Sequence, residues 1–276
     1  EGWVPDPAWI GEKRKAHPGL IDNDILAHAR KKLSSRQHRS GLRPKGSSDK
    51  VRVLSRKQLQ ALLQWAGPRP SERTSDSPGL ARDRLVFDLG WAVGLRLDEK
   101  LYLSVDPFIA LTPDSLHACH KVEVLGRGNK KRQVDVPSWL VKDILAYING
   151  ERRRDLRGRG RTARESQLLL NASTSTSRVG RPMTRSGLDK LVRRACWGAG
   201  LTEKRVQINP GTGEESAEAV AMFSDHCLRH TYAVVTWHNL RVAGHEEAYC
   251  WKYIQQQLGH ANPSITMNYY LKHVSA

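Results

Sequence analysis

No run of about 18 apolar residues occurs anywhere in the 276-residue chain, so a helix spanning a membrane is not expected. No secretory leader is visible, and the chain begins with Glu1 rather than methionine, as expected of an excised or processed fragment. Cysteine is scarce. Cys119, Cys196, Cys227 and Cys250 form no CxxC pair, and their spacing fits neither a zinc site nor a disulfide framework. The one metal-like pattern, HACH at His117–His120, falls in a strand-like stretch whose neighbouring side chains point to opposite faces. We expect no metal, no cofactor and a reducing cytoplasmic setting. No internal repeat is present.

Acidic residues are also under-represented, 28 against 45 lysines and arginines, for a net charge of +17. Such an excess points to a polyanion partner, because lysine and arginine neutralise phosphates and release condensed counterions. The charge is distributed rather than held in one tail. Clusters lie at Arg36–Lys57, Arg127–Arg132, Arg152–Arg164 and Arg178–Arg194, the spread needed to track a long duplex. Arg52, Lys131, Arg132 and Arg185, one or more from three of these clusters, are the candidate backbone contacts. Hydrophobic residues make up 39% of the chain, enough for a packed core.

Residues 1–50 combine a short helical segment near Ile21–Leu33 with a Ser-, Gly- and charge-rich linker, and read as the remnant of a small DNA-binding domain. Residues 51–276 form the main domain. Ser55 and Gln58 predict a capping box, and Leu54 and Leu59 a hydrophobic staple, at the start of a helix. A second helix runs through ARDRLVFDLGWAV, with Leu85, Leu89 and Val93 (or Ala92) on one side. Val122 and Val124, then Val134 and Val136, alternate with polar residues about a Gly-Asn turn, which predicts a hairpin with a cationic tip. Further helices are expected in WLVKDILAYIN, TRSGLDKLVRRACWGAG, DHCLRHTYAVVTWHNL and EEAYCWKYIQQQLG. Thr202–Ala219 reads as a polar loop. The fold class is α+β, mainly α, with one small antiparallel sheet.

Singly, the chemically suggestive residues have ordinary explanations: Arg96 can pair with Asp98 or Glu99, a lone histidine is usually structural, and Tyr269 or Tyr270 can be core aromatics. Together they describe a site. Arg96 and Arg229 stay charged at any working pH and grip phosphate oxygens in bidentate fashion. His226 lies three residues before Arg229 and shares its helix face. His260 follows a glycine at a helix end, and a tyrosine hydroxyl, from Tyr269 or Tyr270, follows. Cationic donors, histidines and a tyrosine nucleophile make a phosphoryl-transfer site without a metal.

The segments GLRLDEKL, HCLRH, QLGH and SITMNYY resemble the motifs of the tyrosine recombinases, the phage-integrase family, over roughly residues 51–276. The resemblance implies that Arg96 is the first catalytic arginine with Glu99 as its supporting acid, that His226 and Arg229 are the HxxR pair, and that His260 is the LGH histidine. Tyr269, nine residues beyond His260, is the implied nucleophile, with Tyr270 the alternative. The family's hairpin-turn lysine is replaced here by Arg127, so either Lys130 or Lys131 supplies the acid or Arg127 acts electrostatically. The implied activity is site-specific DNA recombination through a 3′-phosphotyrosyl link, without metal or ATP. The implied partners are double-stranded DNA, three further copies in a homotetramer, and an accessory DNA-bending protein, in the nucleoid of the cytoplasm. A related topoisomerase or telomere resolvase, and a catalytically silent DNA-binding regulator, remain as alternatives.

Overall fold

The computed structural model describes residues 52–113, 119–126, 131–175, 177–208 and 215–260. The expectations for residues 1–50, for His117, for the hairpin tip at Arg127 and Lys130, and for Tyr269 and Tyr270 lie outside them.

Ser55 opens α1 (Arg56–Ala66) through the expected reciprocal cap: its amide donates to Gln58 Oε1 at 2.8 Å, and the Gln58 amide donates to Ser55 Oγ at 3.3 Å. Leu54 and Leu59 are both buried. Helix α2 (Ala81–Trp91) carries Leu85 and Leu89 inward as expected, but Val86 and Phe87 are equally buried. It is the central helix, enclosed on all sides. Its charged residues enter the core only in pairs, as Arg84 with Asp88 at 2.9 Å and Arg82 with Asp83 at 2.6 Å.

Two short helices follow, α3 (Leu97–Leu101) and α4 (Asp106–Ile109). Strands β1 (Cys119–Leu125) and β2 (Lys131–Pro137) then form the expected hairpin, with Val122 opposite Val134. All four valines are buried. Helix α5 (Ser138–Tyr147) passes through a π turn at Ile148–Arg152 into α6 (Arg153–Arg159). Arg152, part of a basic cluster in the sequence, is turned inward and donates to the backbone oxygens of Glu165, Gln167 and Leu168. Thr184 caps α7 (Arg185–Gly198) by accepting from the Gly187 amide.

The reading of Thr202–Ala219 as a loop is corrected. Strands β3 (Thr202–Ile208) and β4 (Glu215–Ala221) pair antiparallel as a second two-stranded sheet. Lys204–Val206 and Glu215–Ala219 are exposed, so neither strand shows the inward apolar alternation that reveals a half-buried strand. Cross-strand neighbours such as Arg205 and Glu218 carry opposite charges instead. Helices α8 (Asp225–Val242) and α9 (Glu247–Leu258) complete the fold, α8 packing against both α2 and α9.

Candidate active site

The turn between α2 and α3 places the first arginine. Gly94 adopts φ 73°, and a Cβ there would stand 2.5 Å from Tyr232 Cδ1 on α8, so only glycine allows this close approach. Arg96 then sits at the N-terminal boundary of α3, half-buried. Its amide donates to Glu99 Oε2 at 2.8 Å and its Nη1 donates to Glu99 Oε1 at 3.0 Å.

Glu99, only 2% exposed, is the hub. Arg132 on β2 donates to it through Nη2 at 2.7 Å and Nε at 3.3 Å, and Arg229 Nη1 approaches at 3.7 Å. Burial alone would raise the Glu99 carboxyl; Arg132, the Arg96 amide and Arg229 outweigh it and hold it below the usual carboxylate range. Three guanidiniums share one carboxylate, which leaves a surplus of two positive charges in a partly dry setting.

Arg229, 1% exposed, joins the two ends of the site. Its Nη1 donates to the Gly94 carbonyl at 2.6 Å, and its Nη2 donates to the Leu258 carbonyl and lies 3.3 Å from His260 Nε2. A guanidinium only donates, so this contact selects an imidazole that accepts at Nε2 and carries its proton on Nδ1. Burial, then Arg229, Arg96, Arg132 and His226, push the His260 pKa down to about 3. Gly259, at φ 61°, turns the chain out of α9 and into position. The His260 amide donates to the Gln255 carbonyl at 3.1 Å, and its carbonyl accepts from Gln255 Nε2 at 3.1 Å.

His226 lies in the first turn of α8, exposed, with its ring edge-to-face against His230 at 4.4 Å. It is one of the groups that depress His260. Such an arrangement, with arginine donors, a neutral histidine and no competing carboxylate beyond Glu99 in the described contacts, suits a phosphate diester whose charge increases during reaction.

Arg132, expected at the DNA backbone, stands within this cluster. Its Nη1 donates to the Gln257 carbonyl, and a Cβ on Gly259 would lie 2.7 Å from its Cδ. The sequence contained the signal: alternation that turns Val134 and Val136 inward puts Arg132 on the same face, and Lys131 and Gln133 on the other. Below it, the Asp135 amide donates to Gln257 Oε1 at 3.0 Å, while Gln257 Nε2 and Tyr253 Oη donate to Asp135 Oδ2 at 2.9 and 3.0 Å. The hairpin is thereby fastened to α9. The other candidate backbone contacts occupy surface ion pairs: Arg52 with Glu203 at 2.8 Å, Lys131 with Glu123 at 2.8 Å, and Arg185 with Asp98 at 2.5 Å. His120 Nε2 bonds Ser138 Oγ at 2.9 Å, and burial pushes the Cys119 thiol up to about 12. Among the described residues, no three His, Cys, Asp or Glu side chains come together as a metal cluster.

The tyrosine recombinase XerD of Staphylococcus haemolyticus is 29% identical over 197 residues, covering 70% of this chain and 50% of its own length. XerD of Mycobacterium tuberculosis is 29% identical over 220 residues, covering 79% and 56%. The chain thus spans about half the length of these curated relatives. In fold it is similar to the XerH site-specific recombinase bound to palindromic difH substrate in a post-cleavage complex, with TM-score 0.53 at 18% identity over 86% of this chain and 54% of that one. The family model of the phage integrases matches residues 52–275, so the chain belongs to the phage integrase family.

Proposed function

We propose that the protein is a site-specific DNA recombinase that cleaves and rejoins double-stranded DNA through a 3′-phosphotyrosyl intermediate. The observation that carries this reading is the convergence of Arg96 and Arg229 on Glu99, with His260 against Arg229. Tyr269 is the nucleophile. Its hydroxyl oxygen bonds to the phosphorus as the bond to the 5′ oxygen breaks; the phenolic proton leaves to a base, and the departing oxygen takes a proton to become a 5′ hydroxyl. Arg96 and Arg229 bind the non-bridging oxygens, each such donor being worth about 10²–10³ in rate. His260 contributes the Nδ1 hydrogen, and His226 assists proton transfer. The hairpin tip, through Lys130 or Arg127, serves the leaving oxygen. The phosphotyrosyl bond conserves the energy of the diester, so religation needs no ATP. Strand exchange between two duplexes takes four such sites, hence a tetramer on DNA, with an accessory bending protein as a further partner. Residues 1–50 add duplex contacts.

The test is covalent trapping on nicked duplexes tiled across the DNA flanking the gene, followed on denaturing gels. Wild type yields a protein–DNA adduct, Tyr269→Phe yields none, and Tyr270→Phe retains it. An adduct lost only in Tyr270→Phe moves the nucleophile by one residue; tight binding without any adduct contradicts the enzymatic reading.

A further inference from the structure

Arg96 and Arg229 stand on different elements, and α3, which Arg96 caps and which carries Glu99, is only five residues long. A single turn has no cooperative stability of its own, so its direction is set by what holds it. Lys100 is one of the groups that hold it. This side chain is 0% exposed; its Nζ donates to Asp225 Oδ1 at 2.6 Å and to the Val86 carbonyl on α2 at 2.9 Å. Asp225 is the first residue of α8, directly before His226, and is itself buried. Lys100 directly follows Glu99. The pair therefore joins the residue beside one half of the site to the residue beside the other.

The surrounding core is shaped for this pair. Gly90, within α2, is a poor choice for a helix interior. A Cβ there would lie 2.7 Å from Lys100 Nζ and 2.8 Å from Leu228 Cβ, and Leu228 directly precedes Arg229. The missing methyl thus admits both the ammonium and the Leu228 side chain of α8 at close range. A buried ion pair is a poor source of stability, since well-packed apolar groups of like size often replace it without loss. What it supplies, and apolar groups do not, is a fixed direction and length.

We propose that Lys100 and Asp225 are positioning residues that set the separation of Arg96 and Arg229 across the phosphate site. The pair touches no substrate and acts through α3 and α8. This inference rests on the recombinase reading above.

Four proteins test it: wild type, Lys100→Met, Asp225→Leu and the double variant Lys100→Met/Asp225→Leu. Each is measured for thermal midpoint, duplex affinity and the single-turnover rate of adduct formation. Each single variant strands one buried charge and lowers the midpoint. The double variant regains the midpoint and the duplex affinity but forms adduct roughly 10- to 100-fold more slowly, the effect of an ångström-scale misplacement. A double variant that regains the wild-type rate overturns the proposal. Gly90→Ala provides a second probe that keeps both charges: its adduct rate falls while duplex affinity holds, and an unchanged rate counts against us. If wild type forms no adduct on any duplex, the recombinase reading fails separately. Orthovanadate binding, followed by vanadium NMR, then decides the geometry: the double variant binds about tenfold more weakly, and equal binding overturns the positioning role.

Discussion

Glu99 determines what the site can bind by what it leaves uncompensated. With three guanidiniums on one buried carboxylate, a phosphate would enter a place already organised and still short of negative charge. Glu99→Gln removes the hub while keeping its size. We expect the arginines to repel and splay, the adduct rate to fall by about 10²-fold, and the thermal midpoint to drop, measured by single-turnover gels and calorimetry. His260 offers a pH test. Its folded pKa is depressed, to about 3, below the ordinary histidine value. Between about 3 and 6.5 the unfolded chain binds a proton there that the folded chain refuses, so this contribution to stability is complete above about 6.5 and is lost as pH falls. His260→Asn therefore loses less midpoint than wild type between pH 7 and pH 5. Equal losses in both proteins contradict the assignment.

At the scale of elements, the hairpin and α9 behave as one piece. Arg132, Asp135, Gln257 and Tyr253 bond across the joint, and Gly259 leaves the room Arg132 occupies. Gly259→Ala adds a Cβ at a left-handed φ and 2.7 Å from Arg132 Cδ. It should cost about 1 kcal/mol or more and slow adduct formation, measured by denaturant unfolding and gels. The exposed second hairpin is the opposite case. Its base is closed independently, by the Met222 amide donating to the Leu201 carbonyl at 3.0 Å. Replacing residues 203–220 with a short Gly-Ser turn should move the thermal midpoint by no more than about 3 °C. The same contrast explains what could be read from the sequence. Ser55 with Gln58 and the alternating valines are local patterns, and each appears in the structure where it was expected. The β3–β4 sheet was hidden because Lys204–Val206 and Glu215–Ala219 are exposed, so no buried apolar face marks its strands. The Arg132 contacts were hidden for another reason. Their partners Glu99 and Gln257 lie 33 and 125 residues away in sequence, and local pattern does not reach across the fold.

For the whole molecule, the charge of +17 should make the proposed duplex binding steeply salt-dependent. The arginines do not contribute equally, however. Arg185 is exposed and holds Asp98 in a surface pair that a phosphate can replace at little cost. Arg132 is committed to Glu99 and Gln257. Arg185→Ala should lower the slope of log affinity against log salt by about one contact, roughly 0.9, while Arg132→Ala leaves the slope near wild type and slows cleavage. On the proposed function, most of the charge gathers the duplex and a small buried share acts on one phosphate. The most direct test of that division is the single-turnover adduct rate of Arg96→Lys on a nicked duplex, measured beside its duplex affinity. The substitution keeps the charge and removes the planar fork. The account predicts wild-type affinity with a rate lower by about 10²-fold or more. A rate equal to wild type would contradict it.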